Sequence, residues 1–339
     1  PILDIGCMKA LKLVNETADH VKLVDMPEPT PGKGEVLIKM QAAALNHRDQ
    51  WCREGKYPNI KFDVVLGSDG CGVVEQLGPD TDETWKGKSV IINPNINWGS
   101  NPEVQSAQYR ILGMPDNGTL AEYVVVPVDR LFEKPTHLTP EQASALPLCG
   151  LTAYRALFTR GKLKRGQNVL VSGAGGGVAV YALMFAKLAG ANVYVTSGSK
   201  SKITQAVALG AVEGFDYNNE KWAQTALKSS GGFDLIVDST GGQMVNQYLR
   251  VLKHGGRVVI YGASSGIPKT LDVFRIFWNQ LTIQGSTMGN DQEFEQMVDY
   301  VNRTQMLPVV DSVRPFSDVV AAFDKMKQRK QFGKLVVTF

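Results

Sequence analysis

The stretch "VLVSGAGGGVAVYALMFAKLAGANVYV", which runs from Val169 to Val195, constrains the fold more than any other part of the chain. It predicts a strand, a glycine-rich turn, an apolar helix from Val178 to Ala189 and a second strand. Glycines let the backbone turn tightly and approach a pyrophosphate, whose charge is favoured by the free N–H groups and the positive end of the following helix. The stretch therefore predicts a dinucleotide-binding unit rather than a merely structural glycine turn.

The surrounding sequence changes character near residue 139. Before it, short β-type runs such as "EVLIKMQAAAL" and "AEYVVVP" are separated by Gly and Pro turns, which predicts a β-rich domain. Thr139, Pro140 and Gln142 then form a capping box that predicts the start of a helix. From Gln167 onward, strands such as "FDLIVDST" and "GRVVIYG" alternate with helices, one of them predicted from Lys202 to Leu209. Such alternation predicts an α/β fold with a doubly wound parallel sheet.

Length and composition bound the class of protein. A chain of 339 residues points to two domains, and a net charge of +3 does not indicate a nucleic-acid or membrane partner. No apolar run is long enough to span a bilayer, and the start of the sequence lacks the order of a secretory signal, so we expect a cytoplasmic setting. The cysteines form no C-x-x-C pair and are expected to be mostly buried thiols: Cys7, Cys52, Cys71 and Cys149.

Several motifs together resemble one family. These are "GSDGCGVV" from Gly67, "LCGLTAYRAL" around Cys149 and "AGGGVA" from Ala174. With "MKALKLV" from Met8 and "GKLVV" from Gly333, they make the chain similar to the medium-chain dehydrogenase/reductase superfamily over nearly its whole length. The resemblance implies a GroES-like, β-rich catalytic domain of residues 1–130 and 280–339. A Rossmann NADPH-binding domain of residues 131–279 would be inserted within it.

The zinc-dependent branch of that family holds a catalytic zinc with a Cys, a His and a later Cys or Asp. The matching positions here are Asn46, Ser68 and Leu148, which cannot provide the N, S or carboxylate ligands that zinc needs. The stretch that matches the structural-zinc lobe, residues 93–115, contains no cysteine. We therefore predict no zinc at either position.

Without zinc, the resemblance shifts to the quinone oxidoreductase and enoyl reductase branches. Arg48 stands where the zinc branch has a proton-relaying Ser or Thr. Tyr57 matches a proton-donating tyrosine of enoyl reductases, and Asn46 is expected near the nicotinamide ribose or the substrate oxygen. The alternatives are that Asn46 caps a helix beginning at Arg48 and that Tyr57 is a packing aromatic before Pro58.

The end of the second Rossmann strand indicates which cofactor binds. An NAD site places an acid about 20 residues after the glycines to accept hydrogen bonds from the ribose 2′-OH, and here that position is Ser197. The residues around it offer hydroxyl and ammonium groups suited to a 2′-phosphate. The alternative is an ordinary Ser-capped, Lys-bearing start of a helix. We predict NADPH, with 2′-phosphate contacts from Ser197, Ser199, Lys200 and Lys202. The resemblance to quinone oxidoreductases supports Lys202 and adds Tyr217, which lies seven residues after Gly210.

The resemblance implies further contacts to the cofactor, with Thr152 against the nicotinamide and glycine-loop residues at the pyrophosphate. Besides the 2′-phosphate contacts, the predicted cofactor contacts are Asn46, Thr152, Ala174, Gly175, Gly176, Gly177, Val178, Ala179, Ser239, Thr240, Gly262, Ala263, Ser264, Ser286, Met288, Gly289 and Lys334.

We therefore expect a zinc-independent, NADPH-dependent reductase of small-molecule quinones or activated alkenes. One alternative is an alcohol dehydrogenase-like reductase of aldehydes or ketones, and another is a non-enzymatic NADPH-binding protein. A homodimer is expected by resemblance. The segment Val273 to Ser286 predicts strand pairing at a sheet edge, reinforced by Phe274, Phe277 and Trp278, although these aromatics could instead pack within one chain.

Overall fold

The computed structural model describes residues 6–339. The N-terminal part contains β1 (Cys7–Leu13), β2 (Val21–Pro27), β3 (Glu35–Ala44), α1 (His47–Arg53), β4 (Asp69–Leu77), β5 (Ser89–Ile92), β6 (Asn95–Ile96), β7 (Arg110–Leu112), β8 (Pro115–Asp116), β9 (Tyr123–Pro127), β10 (Leu131–Glu133), α2 (Pro140–Ser144) and α3 (Pro147–Tyr154). The middle part contains β11 (Asn168–Val171), α4 (Gly177–Leu188), β12 (Asn192–Ser197), α5 (Lys200–Ala208), β13 (Glu213–Asp216), α6 (Trp222–Ser230), β14 (Phe233–Asp238), α7 (Met244–Val251), β15 (Leu252–Ile260), α8 (Val273–Trp278) and β16 (Thr282–Gly285). The C-terminal part contains α9 (Asp291–Thr304), β17 (Val310–Pro315), α10 (Val319–Lys327) and β18 (Lys334–Thr338).

The chain forms two compact units. The first unit comprises the chain up to Leu148 together with Asn290–Phe339, and the second comprises Cys149–Gly289. The boundaries predicted from the sequence lie at residues 130 and 279, and the packing of the intervening elements explains the difference. Strand β10 pairs with β5, and α2 packs on β3 and β4, so both belong to the first unit. Strand β16 pairs with β15, which keeps it in the second.

The first unit is built on a mixed sheet. Its strand order is β10-β5-β4-β3-β18-β17, with β9 also paired to β3. Strand β18 comes from the far end of the chain and pairs antiparallel with β3, so the C-terminal segment completes this unit. The predicted capping box at α2 is confirmed, because the N–H of Gln142 donates to Oγ1 of Thr139 at 3.2 Å and the N–H of Thr139 donates to Oε1 of Gln142 at 3.0 Å.

The second unit contains the predicted parallel sheet. Its strand order is β13-β12-β11-β14-β15-β16, and every neighbouring pair is parallel. The apolar runs of the central strands follow from burial on both faces, which is usual for such sheets. The helices predicted over 178–189 and 202–209 are α4 and α5, displaced by one or two residues at their ends.

The segment from Val273 to Ser286 differs from its prediction. Its first half is the helix α8, and only Thr282–Gly285 is a strand, which lies at the edge of the parallel sheet. The N-cap Asp272 explains the helix, since its carboxylate accepts from the N–H of Arg275 at 3.0 Å. The aromatics of α8 do not pack into the chain, because Phe274, Phe277 and Trp278 remain 63%, 63% and 68% exposed. Across residues 6–339, no helix is long and apolar enough to span a membrane.

Candidate functional site

The glycine-rich turn lies between the carboxyl end of β11 and the start of α4. Gly173 and Gly175 have φ angles of +69° and +101°, a region that residues with a side chain rarely adopt. Gly176 is the N-cap and Gly177 opens the helix, so the first N–H groups of α4 have no acceptor within the helix. The predicted contacts from Ala174 to Ala179 therefore surround a helix N-terminus whose donors fit a pyrophosphate.

Other predicted cofactor residues gather at the same carboxyl edge of the sheet. Ser239 and Thr240 follow β14, and residues 262–264 follow β15. The two loops are joined, because the N–H of Ser264 donates to the carbonyl of Ser239 at 3.2 Å. A Cβ at Gly262 would lie 2.9 Å from that carbonyl, so the approach requires glycine. Ligands of open α/β sheets bind outside this edge, which agrees with the predicted set.

Residues after β16 complete this edge. Ser286 is 8% exposed, and its hydroxyl oxygen has no hydrogen-bond partner among residues 6–339. A buried hydroxyl without a partner is costly, and a bound ligand would satisfy it. Thr152, on α3, donates to the sulfur of Met288 at 3.7 Å, so these two predicted nicotinamide contacts lie together. The donors of this edge fit a nicotinamide dinucleotide.

The predicted 2′-phosphate loop is compact. A Cβ at Gly198 would lie 2.7 Å from Oη of Tyr217, so the tyrosine lies against the backbone that follows Ser197. The hydroxyl of Ser199 caps α5, accepting from the N–H of Lys202 at 3.3 Å. Lys202 is partly buried, and Lys200 beside it is exposed. The structure thus brings the predicted residues together, and the predicted alternative, a Ser-capped helix start, describes the same backbone.

Two residues near this loop were missed. Asp216, at the end of β13, is the register partner of Ser197 in β12, and its Oδ1 accepts from the N–H of Asn218 at 2.9 Å. The side-chain nitrogen of Asn218 lies 3.0 Å from the Cβ position of Gly198, which makes it a further donor beside the loop. Neither is close to Ser197 in sequence, and only the strand order could have indicated them.

Asn46 belongs to a buried polar network in the first unit. Its side-chain N–H donates to Oδ2 of Asp69 at 3.0 Å, and its Oδ1 accepts from Nζ of Lys334 at 2.6 Å. The same ammonium donates to the carbonyl of Leu45 at 2.7 Å. Burial raises the pKa of the Asp69 carboxyl, and the charge of Lys334 opposes this. Lys334 therefore orients the Asn46 amide, and the cofactor contacts predicted for both residues stay predictions.

Asn46 is also the N-cap of α1, which begins at His47 rather than at Arg48. Its backbone N–H donates to Oδ2 of Asp49 at 2.8 Å. Asn46 and Asp49 form a capping box, so the capping alternative is confirmed, and the side chain of Asn46 also contacts Asp69 and Lys334.

The positions that match the catalytic-zinc ligands do not form a metal site. Nη1 of Arg48 donates to the hydroxyl of Ser68 at 2.7 Å, and that hydroxyl donates to the carbonyl of Leu112 at 2.7 Å. The backbone N–H of Leu148 donates to Oδ1 of Asp69 at 2.9 Å. Residues 6–339 hold no group of three or more His, Cys, Asp or Glu side chains that could bind a metal. A permanent guanidinium charge beside Ser68 would repel a cation, so these residues do not fit a catalytic zinc.

The lobe of residues 93–115 is held by other contacts. The ring of Trp98 meets that of Tyr109 edge-on at 5.3 Å between centroids, and its Nε1 donates to the carbonyl of Asn101 at 3.0 Å. Arg110 forms an ion pair with Asp116 at 2.8 Å. Aromatic packing and hydrogen bonds thus hold a segment in which no cysteine is present.

Tyr57 lies in the turn after α1 and is half-buried. Nε of Arg48 donates to its hydroxyl oxygen at 3.2 Å, and the guanidinium carbon lies 4.9 Å from the ring centroid. The hydroxyl of Tyr57 donates to no residue between 6 and 339. The sequence marked Arg48 only as a missing relay and did not reveal this pairing, which the turn between the two residues creates.

A β-rich unit completed by the C-terminal strand, joined to a parallel sheet with a glycine-rich dinucleotide edge, defines a nicotinamide-dependent oxidoreductase. Residues 32–136 match the family described as "Alcohol dehydrogenase GroES-like domain", and residues 177–303 match "Zinc-binding dehydrogenase". The chain belongs to the medium-chain dehydrogenase/reductase superfamily.

Individual proteins similar to this chain carry different descriptions. "Zinc-type alcohol dehydrogenase-like protein YogA" of Leptosphaeria maculans is 37% identical over 330 residues, covering 91% of this chain and 92% of that protein. "Acryloyl-coenzyme A reductase" of Sulfurisphaera tokodaii is 28% identical over 339 residues, covering 97% and 99%. A solved structure of an "NAD-dependent alcohol dehydrogenase" is 36% identical with a TM-score of 0.92, covering 98% and 99%.

Proposed function

We propose that the protein is a zinc-independent, NADPH-dependent reductase of quinones or activated alkenes. The observation that carries this proposal is the position of Arg48, whose guanidinium contacts both Ser68, which matches a zinc-ligand position, and the hydroxyl of Tyr57. A reductase without a Lewis acid needs a hydride donor and a proton donor. Tyr57 provides a hydroxyl whose proton is not donated to any described residue.

Bound NADPH would supply the hydride, and the chain's own residues would hold it and provide the proton. The helix N-terminus at Gly177 would hold the pyrophosphate, and the buried hydroxyl of Ser286 would donate to the cofactor. Lys202, in the first turn of α5, and Tyr217, beside Gly198, would bind the 2′-phosphate.

Activated alkenes are favoured as one substrate class by the relative described as acryloyl-coenzyme A reductase, whose named substrate is a conjugated alkene. Hydride addition to such an alkene leaves an enolate that must gain a proton, which is the step a phenol can serve. Reduction of a quinone leaves a hydroquinone anion, which water can protonate. Tyr57 is therefore expected to matter more for alkenes than for quinones.

The test measures NADPH oxidation with an enone and with a quinone, for the wild type and for Tyr57→Phe. General acids contribute about a hundredfold or more to rate, so we expect the enone rate to fall by roughly that factor and the quinone rate by much less. Tyr300→Phe is the matched control, since Tyr300 also lies against an arginine, Arg303, at 5.3 Å. Unchanged rates with both substrates in Tyr57→Phe would remove Tyr57 from the mechanism.

A reductase of aldehydes or ketones is the second candidate, favoured by the similar structure described as an alcohol dehydrogenase. Oxidation of simple alcohols with NADP⁺ or NAD⁺, at rates above those of enone and quinone reduction, would support it over the first. Tight NADPH binding with negligible turnover of carbonyl, enone and quinone substrates would instead indicate a non-enzymatic role.

A homodimer formed at the edge of the parallel sheet also belongs to the proposal. Strand β16 has β15 on one side and is the last strand of its sheet. The exposed aromatics of α8 precede it, and Phe274 stacks on Trp278 with centroids 6.0 Å apart. An apolar cluster beside an open strand edge is suited to burial against a second copy. Light scattering that shows a monomer at micromolar concentration would contradict the dimer.

A further inference from the structure

We propose that Arg48 is the positioning residue that makes Tyr57 a proton donor, an inference that rests on the function proposed above. The guanidinium orients the phenol before proton transfer and stabilises the phenolate that the transfer leaves.

Arg48 is held rigidly. It is 6% exposed, and its guanidinium donates to neutral acceptors on several parts of the first unit. Nη1 donates to the hydroxyl of Ser68 at 2.7 Å and to the carbonyl of Leu112 at 2.9 Å, and Nη2 donates to the carbonyl of Met114 at 2.8 Å. Because the guanidinium is planar, these three hydrogen bonds from Nη1 and Nη2 also fix the direction of Nε, which points toward Tyr57.

The charge of Arg48 is not cancelled by an ion pair. Its acceptors are carbonyls and hydroxyls, and within residues 6–339 no carboxylate lies within salt-bridge distance of its guanidinium. Burial raises the pKa of the Asp49 carboxyl, and the positive charge of Arg48 opposes this rise. Asp49 forms no ion pair with Arg48, however, and accepts from the N–H groups of Asn46 and Gly67. A buried positive charge that lacks a paired anion stabilises negative charge that develops beside it.

The hydrogen bond sets the direction of the phenol. Because Nε of Arg48 donates to the hydroxyl oxygen of Tyr57 at 3.2 Å, the phenolic proton must point away from the guanidinium. That proton is then presented to a substrate atom rather than to the protein. A phenol that merely packed at a turn would need no such donor.

The chemical step balances. Bound NADPH would supply a hydride, with its two electrons, to the β-carbon of a conjugated alkene, and the resulting enolate would need a proton. The O–H bond of Tyr57 breaks as a new bond forms from that proton to the enolate, so the phenolate keeps the electron pair. The negative charge then lies beside Nε of Arg48 until solvent returns a proton. Each turnover consumes one NADPH, one alkene and one proton.

The test compares Arg48→Lys, Tyr57→Phe and the double variant with an enone and a quinone. Lysine keeps the charge but loses the planar fork, so we expect enone kcat to fall by about tenfold to hundredfold and quinone kcat by less than about threefold. In the Tyr57→Phe background, Arg48→Lys should then change the enone rate by less than about threefold, since the two residues act as a unit.

A purely structural role of Arg48 gives a different result. Arg48→Lys would then lower the enone and quinone rates by the same factor, and its effect on the enone rate would multiply with that of Tyr57→Phe. Either result overturns the proposal. Arg303→Lys, alone and with Tyr300→Phe, is the control for exchanging an arginine that lies against a tyrosine.

If Arg48→Lys does not fold, Ser68→Ala tests the same idea, because it removes one anchor of the guanidinium and leaves Tyr57 intact. Its enone rate should fall by about threefold or more with the quinone rate unchanged, and equal effects on both substrates contradict the proposal.

Binding of 4-nitrophenolate separates this inference from the proposed function, since it needs no turnover. The anion represents the enolate oxygen, and we expect its affinity for the protein with NADP⁺ to fall about tenfold in both Arg48→Lys and Tyr57→Phe. A wild type that binds 4-nitrophenolate in this way but reduces neither substrate would refute the proposed function and keep the pairing. An affinity that neither variant changes would refute the pairing itself.

Discussion

Lys202 provides the sharpest test of cofactor choice, through the variant Lys202→Ala. Its backbone N–H is fixed by the hydroxyl of Ser199, so the side chain starts at the first turn of α5, where the helix dipole also favours an anion. A hydrogen bond to a charged group contributes about 1.5–3 kcal/mol, and partial exposure moves the value toward the lower end. Because about 1.4 kcal/mol is tenfold in affinity, we expect the NADPH dissociation constant to rise about tenfold to hundredfold.

The assay is a titration of each variant with NADPH and with NADH, followed by nicotinamide fluorescence. NADH lacks the 2′-phosphate, so its dissociation constant should stay within about twofold. Lys228→Ala, an exposed lysine in the last turn of α6, is the control for removing a charge from the same unit. The reasoning is refuted if the wild type binds NADH as tightly as NADPH, or if Lys202→Ala weakens both cofactors equally.

The remaining predictions concern reactivity, assembly and stability. Burial raises the pKa of the Cys52 thiol to about 12, which leaves few thiolates near pH 8, so Ellman's reagent should modify the exposed Cys7 quickly and Cys52 only after unfolding. Trp278→Glu should convert a dimer to a monomer in light scattering, since it places a charge in the exposed aromatic cluster. Lys334→Met leaves the buried Asp69 unpaired and should lower the free energy of unfolding by about 3 kcal/mol in urea, and Asp69→Asn added to it should restore part of that loss.

The parallel sheet was predictable because its signals are local. Apolar runs flanked by Gly and polar turns marked β11, β12 and β14, and the capping box at Thr139 marked α2. The helix after Asp272 was not predictable from the sequence, because its aromatic and β-branched residues favour a strand in isolation. The cap at Asp272 and the packing of α8 beside α7 stabilise the helix instead.

The candidate site was predictable in the second unit and much less so in the first. The glycine turn and Ser197 lie within one βαβ unit, and Lys202 follows in the next helix, so motif and spacing are sufficient to group them. Arg48 instead meets the backbone of Leu112 and Met114, which are distant in sequence and carry no signal in their side chains. A contact between a side chain and a remote carbonyl depends on the fold and leaves no pattern in a single sequence.

The most direct test of the proposed function is NADPH oxidation by chelator-dialysed protein whose metal content has been measured. Asn46, Ser68 and Leu148 cannot hold a catalytic zinc, and Arg48 lies against Ser68. We therefore expect metal-free protein to reduce an enone or a quinone with NADPH, at a rate that added zinc does not change. Activity that is lost with the metal and restored by zinc, or turnover confined to alcohols and simple aldehydes, would contradict the proposed function.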